Sequence, residues 1–190
     1  NKLIIIGSGA IGVEFASFYN AIGSEVYVVE IQDRILPIED KQISDYAKIE
    51  FEKKGINFFV GSSFELLEKN ESGITLLVKN KEKKEKISAP SILVAAGVVG
   101  NSDSIGLEEL GIKNKSGSII TNEYCQTTVE GVFAIGDVTA PPWLAHKAMH
   151  EGIMVAEILA GKNDIKPLKK ESIPGCTYSN PQIASFGLTE

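Results

Sequence analysis

The stretch Lys2-Leu3-Ile4-Ile5-Ile6-Gly7-Ser8-Gly9-Ala10-Ile11-Gly12 decides the fold. Its apolar run reads as a buried parallel strand, three glycines follow at GxGxxG spacing, and Ile11, Phe15, Phe18, Tyr19 and Ile22 then recur at helical spacing. Gly23 stops that helix. The three glycines serve different ends. Gly7 permits the tight turn, Gly9 lets backbone approach a pyrophosphate, and Gly12 lets the helix pack closely on the strand. A phosphate placed there meets the amides and the positive dipole end of a helix N-terminus.

A second apolar strand, Val26-Tyr27-Val28-Val29, ends on Glu30, 18 residues beyond Gly12. At that position a carboxylate accepts hydrogen bonds from both ribose hydroxyls of an adenosine. Its charge would repel a 2′-phosphate, so the expected cofactor is NAD rather than NADP. Arg34 is the competing cue, but four residues past Glu30 it is expected to be solvated or paired with Glu30 or Asp33.

Further along, residues 40–54 read as an amphipathic helix with Ile43, Tyr46, Ile49 and Phe51 apolar, closed by Gly55. Residues 56–60 supply a third parallel strand and complete a βαβαβ half-fold. The period then changes. Residues 63–69, 74–80 and 84–89 are short and separated by turn residues, which predicts a three-stranded antiparallel excursion. Residues 91–95 return to a buried parallel strand, and Gly97 and Gly100 bring the chain back to the nucleotide crevice. After a polar connection containing Asn114 to Ser118, the unit Val132-Phe133-Ala134-Ile135-Gly136-Asp137 reads as an apolar strand and turn of a different domain. A helix is predicted over residues 143–160, with Leu144, Ala148, Val155, Ile158 and Leu159 apolar and Gly161 closing it. The fold class is therefore α/β: a Rossmann-like domain whose parallel sheet carries the excursion, followed by part of a second domain.

Composition sets bounds. The 190 residues are 43% hydrophobic, enough for one large or two small packed domains. A net charge of −6 argues against nucleic acid or anionic membrane as partner, and the basic stretch Lys79–Lys86, broken by Glu82 and Glu85, reads as a solvated hairpin tip. No apolar run reaches the ~20 residues of a membrane span and no leader pattern opens the chain, so the expected compartment is the cytoplasm. Cys125 and Cys176 lie 51 residues apart, which is neither a redox pair nor a ligand spacing; both are expected to be buried, reduced thiols. His146 and His150 stand i, i+4 on a helix, but Lys147 and Met149 occupy the positions where zinc motifs need Glu, so no metal is expected. Asn1 stands directly before the first strand and residues 183–190 look like the start of a new element, so the chain is expected to be an internal piece of a longer protein.

Taken in order, several stretches resemble the pyridine nucleotide-disulfide oxidoreductases. They are Gly7-Ser8-Gly9-Ala10-Ile11-Gly12-Val13-Glu14, Val29-Glu30 with Asp33-Arg34-Ile35-Leu36-Pro37, Ala95-Ala96-Gly97, and Gly131 through Val138. Leu144-Ala145-His146-Lys147-Ala148 and Ile173-Pro174 through Glu190 continue the series. The similarity is greatest to the branch that passes electrons from dihydrolipoamide through a redox disulfide and FAD to NAD.

The resemblance implies an NAD domain over residues 1–120, the returning part of an FAD domain over 121–170, and the start of a dimerisation domain over 171–190. By resemblance, Gly7, Gly9, Ala10, Ile11, Gly12, Glu30 and Gly97 bind NAD, with Ala10 leaving the nicotinamide pocket open. Glu14 positions the hydride-transfer centre through a lysine absent from this chain. Asp137 accepts a hydrogen bond from a flavin ribityl hydroxyl, and Leu144, Ala145 and His146 present helix amides to the flavin. The implied partners are a second copy of the protein, as a homodimer, and the dihydrolipoamide-bearing acyltransferase of a 2-oxoacid dehydrogenase complex.

Two departures from the family pattern stand out. Val98, Val99 and Gly100 replace an arginine pair and proline, loosening one wall of the NAD site, and Met149 and His150 replace acidic residues. The family's CxxxxC disulfide and His-Glu pair are not in these residues, so the chain alone is expected to be inactive. The alternatives are a fragment of another NAD-linked flavoprotein, such as an NADH oxidase or coenzyme A-disulfide reductase, and a stand-alone NAD-binding module.

Overall fold

A computed structural model describes residues 1–81 and 83–189. The chain divides into two compact units: residues 1–97 with 176–185 and 189, and residues 98–175 with 186–188. Glu82 of the basic tip and Glu190 of the last motif lie outside the described residues.

The first unit is built on β1 (Lys2–Ile6), α1 (Ala10–Ala21), β2 (Glu25–Val29), α2 (Lys41–Lys53) and β3 (Asn57–Phe59). An antiparallel run follows, β4 (Ser63–Asn70), β5 (Gly73–Lys79) and β6 (Lys84–Ala89), and then β7 (Ser91–Val94). The parallel sheet has the order β3-β2-β1-β7, so the excursion is spliced between two strands that the sheet separates. Because strand side chains alternate, β1 faces two cores at once. Leu3 and Ile5 join Val13 and Ala16 of α1 and Ala47 and Phe51 of α2, while Ile4 and Ile6 join Leu76, Val78, Ile87 and Ala89 of the excursion. The antiparallel sheet thus covers the face of the parallel sheet opposite α1 and α2.

Both helices turn a different face inward from the one their apolar spacing suggests. In α1 the buried residues are Gly12, Val13 and Ala16, while Phe18 is 57% and Ile22 63% exposed. In α2 they are Ser44, Ala47 and Phe51, and Tyr46 is 61% exposed. The reason is the closeness of α1 to the first turn: a Cβ on Gly12 would lie 2.0 Å from the Gly7 carbonyl oxygen, so the smallest residues must face inward. The N-terminus of α2 is capped by Asp40, whose carboxylate accepts from the amides of Gln42 and Ile43.

The second unit contains a short hairpin, β8 (Asn114–Lys115) and β9 (Ser118–Ile119), and the helix α3 (Ala145–Leu159). Leu107, Ile112, Ile119 and Ala134 form its core. The strand predicted near residue 133 has no ladder among the described residues: a single antiparallel bridge links Gln126 and Phe133, and residues 136–138 form a 3-10 turn. A strand without a neighbour to pair with is only an extended segment. The inward face of α3 also differs from expectation, with Lys147, Glu151 and Met154 buried and Leu159 exposed.

Last come β10 (Gly175–Thr177) and β11 (Ile183–Ser185), which pair with each other. The segment 176–185 returns to the first unit. The Tyr178 amide donates to Glu14 (2.7 Å), the Asn180 amide to Ser17 (3.0 Å), and Ile183 enters the core beside α1. No described helix is long and apolar enough to cross a membrane.

Candidate functional site

Where β1 ends, the chain turns through Gly7 at φ +99, and a Cβ there would strike the Ala95 carbonyl oxygen at 2.4 Å. Gly7 and Gly12 are therefore demanded by the protein's own backbone. Gly9 is not: its φ is −65 and a Cβ on it would meet nothing within 4 Å. Gly9 is also the N-cap of α1, with no side chain capping the helix, so the first-turn amides lack intrahelical acceptors.

Beside this turn lies a cleft of about 480 Å³ lined by Gly7, Gly9, Glu30, Gln32, Ser62, Phe64 and Gly97, among others. Glu30 is 7% exposed. Its Oε2 accepts from the Ser8 amide (2.8 Å) and hydroxyl (2.9 Å), and its Oε1 from the Gln32 amide (2.8 Å). The Glu30 amide donates to Phe59, which fixes the strand end that carries it. Sequence reading assigned Glu30 but not the two residues that orient it. Ser8 is a variable position within GxGxxG, and only its hydroxyl hinted at this use.

The structure brings Gly7, Gly9, Glu30 and Gly97 to one cleft, with Ala10, Ile11 and Gly12 in the first turn of the adjoining helix. Glu14 lies one turn further on, half-buried and engaged with the Tyr178 amide. Arg34 pairs with neither Glu30 nor Asp33. Its Nη2 donates to the Pro37 carbonyl (2.9 Å), and its buried Nε has no hydrogen-bond partner among the described residues.

In the second unit, Asp137 is exposed on its 3-10 turn and Leu144 is the N-cap of α3, again with no side chain capping the helix. His146 donates from Nε2 to the Pro174 carbonyl (2.9 Å), so its tautomer is set by the backbone. Both cysteines are free, but only Cys125 is buried; Cys176 is exposed on β10, where its neighbour Thr177, on the other face, is buried. Burial, aided by the negative charge of Glu151 and opposed by Lys147, pushes the Cys125 thiol up to about 11.

A glycine turn, an acid closing the second strand and an uncapped helix start thus lie together at one cleft on a parallel α/β sheet. The chain belongs to the pyridine nucleotide-disulphide oxidoreductase family, whose pattern matches residues 1–152. All of the chain is 46% identical to a dihydrolipoyl dehydrogenase of Rhizobium etli and 47% identical to one of Zymomonas mobilis, covering 40% and 41% of those proteins. It superposes on the crystal structure of LpdA from Mycobacterium tuberculosis with a TM-score of 0.87 at 25% identity, over 98% of this chain and 40% of that one. The chain thus spans about 40% of the length of the curated relatives it matches. These relatives favour the dihydrolipoyl reading over an NADH oxidase, a coenzyme A-disulfide reductase or a stand-alone module.

Proposed function

We propose that the chain is the NAD-binding part, with a portion of the FAD-binding part, of a dihydrolipoyl dehydrogenase. The observation that carries this is the cleft in which Gly9 faces open space beside an uncapped helix while Glu30 is held at its rim. A pyrophosphate fits that cradle, since Gly9 and Gly97 both present backbone without a side chain to open space at the cleft, where an anion can approach the helix start.

Glu30 fits the ribose in a defined way. A carboxylate has about four lone-pair sites, and three are taken by Ser8 and Gln32. One ribose hydroxyl can donate to Oε1 directly, and a second gains a site when the Ser8 hydroxyl rotates away. A 2′-phosphate would face the same carboxylate, and the one nearby guanidinium, Arg34, is turned to the Pro37 carbonyl. This supports NAD over NADP.

In the second unit, the exposed Asp137 offers an acceptor to a ribityl hydroxyl, and the α3 start at Leu144, Ala145 and His146 offers amides to an electron-rich ring edge. Bound FAD supplies two-electron exchange between a dithiol and NAD. On this reading, residues 1–120 form the NAD domain, 121–170 belong to the FAD domain and 171–190 open the dimerisation domain. The whole protein is then a cytoplasmic homodimer that takes electrons from the dihydrolipoamide of a 2-oxoacid dehydrogenase acyltransferase, and the chain alone is inactive. Glu14 can keep its role beside the nicotinamide while Oε1 accepts from the Tyr178 amide, since that bond leaves Oε2 open.

Calorimetric titration of the chain with NADH and NADPH, with Glu30→Ala alongside, tests the reading. NADH binding that exceeds NADPH binding and weakens at least tenfold in the variant supports it. Equal binding of the two, or none, overturns it.

A further inference from the structure

Lys147 and Glu151 lie one turn apart on α3 and form an ion pair of 3.0 Å with side chains only 5% and 11% exposed. Neither was given a role by the sequence or by the proposed cofactor site. Two charges withdrawn from water are costly unless every remaining polar site is satisfied. Here their partners all belong to one turn. Glu151 Oε2 accepts from the Gly136 amide (2.8 Å), and Lys147 Nζ donates to the Thr139 hydroxyl (3.1 Å). That hydroxyl donates to the Gly136 carbonyl (2.7 Å), closing a ring that runs Gly136, Glu151, Lys147, Thr139 and back to Gly136. The Gly136 amide is therefore tied to α3 directly, and its carbonyl through Thr139, whose hydroxyl Lys147 holds. Gly136 sits at φ +72 with its α-carbon hard against Ala148, where an added Cβ would lie 3.3 Å from the Ala148 Cβ. The next residue is Asp137, whose backbone direction is set by this ring.

We propose that Lys147 and Glu151 are positioning residues for Asp137: their buried pair locks the 136–138 turn so that the Asp137 carboxylate is aimed at the ribityl chain of FAD before the cofactor arrives. The inference rests on the reading that Asp137 meets FAD. Without the ring the turn can still form, but Asp137 samples several directions and the cofactor has to select one.

The test is a double-mutant cycle on FAD affinity in the full-length protein, stripped of flavin and titrated with FAD by quenching of flavin fluorescence. Asp137→Ala measures the contact. Glu151→Gln breaks the charge pair, and Lys147→Met with Glu151→Leu replaces it by apolar groups, a substitution that buried pairs often tolerate without loss of fold. The pair replacement, checked as folded by circular dichroism, is expected to weaken FAD binding about tenfold in the Asp137 protein and less than twofold in the Asp137→Ala protein. Glu151→Gln is expected to follow the same pattern. Equal weakening in both backgrounds means that the pair supports the unit generally and overturns the inference. So does unchanged affinity in the folded pair variant. Unchanged affinity in Asp137→Ala alone overturns the underlying reading instead.

Discussion

The carboxylate of Glu30 and the backbone amide of Ser8, 22 residues apart in sequence, are joined by a 2.8 Å hydrogen bond inside the first unit. The bond ties the end of β2 to the turn after β1, so the acid at the strand end and the glycine turn are held together. Ser8 is fully buried, so its amide has no water to replace Glu30.

Glu30→Ala is accordingly expected to cost stability as well as NADH affinity. Leaving a buried amide unsatisfied costs about 1–3 kcal/mol, which in a chain of this size lowers the melting temperature by roughly 2–12 °C. Differential scanning calorimetry without nucleotide checks this, and an unchanged melting temperature would contradict the structural half of the role.

Gly9→Ala and Gly12→Ala should separate the two kinds of glycine. Gly9 has ordinary φ and open surroundings, so its variant should unfold within about 1 kcal/mol of the parent and lose NADH binding. In Gly12→Ala the new Cβ would collide with the Gly7 carbonyl, costing at least about 3 kcal/mol. Urea midpoints and NADH titrations on both variants give the comparison. A Gly9→Ala protein that binds NADH normally would remove the phosphate assignment.

The strands of the parallel sheet, the antiparallel excursion and the helix positions were legible in residues 1–95 because β1 and β2 are apolar on both faces and turn residues mark every break. The faces of the helices were not legible. Apolar periodicity picks out Phe15, Phe18 and Ile22, but the inward face of α1 is chosen by the Gly12–Gly7 approach, which favours small residues and leaves the large ones outside. For the same reason nothing in the sequence announced Lys147 and Glu151 as buried: a charged i, i+4 pair ordinarily reads as a solvated face. Glu30 was visible through its distance from the glycines, whereas Gln32 acts through its amide, which every residue carries, and Ser8 through its amide and a hydroxyl that serines present everywhere.

The outward stripe on α1 predicts self-association. Phe18→Ser with Ile22→Ser should leave NADH affinity unchanged while shifting the chain toward monomer in light scattering at high concentration. Scattering that is monomeric for the unaltered chain would refute it.

Cys125 and Cys176 should differ in reactivity. At pH 8 a disulfide reagent is expected to modify one thiol, Cys176, in the native protein and two after denaturation. The Cys125 proton also links stability to alkaline pH. Its folded value of about 11 lies above the ordinary 9.0, so the fold retains a proton that the unfolded chain gives up. This contribution is complete below pH 9 and is lost as pH rises through 11. Urea midpoints of Cys125→Ala should fall less steeply over that window than those of the parent.

The return of residues 176–185 to α1 sets an order of events during synthesis. The parallel sheet is complete once β7 ends at Val94, yet Ile183 follows 89 residues later. At roughly 5–20 residues per second the ribosome needs about 4–18 s to deliver it. Through that interval Glu14 and Ser17 have no strap to hold, and a nascent first unit stands with one side of its first helix bare. The strap is therefore the last part of the first unit to become available, and any docking on α1 follows the synthesis of all of residues 1–97.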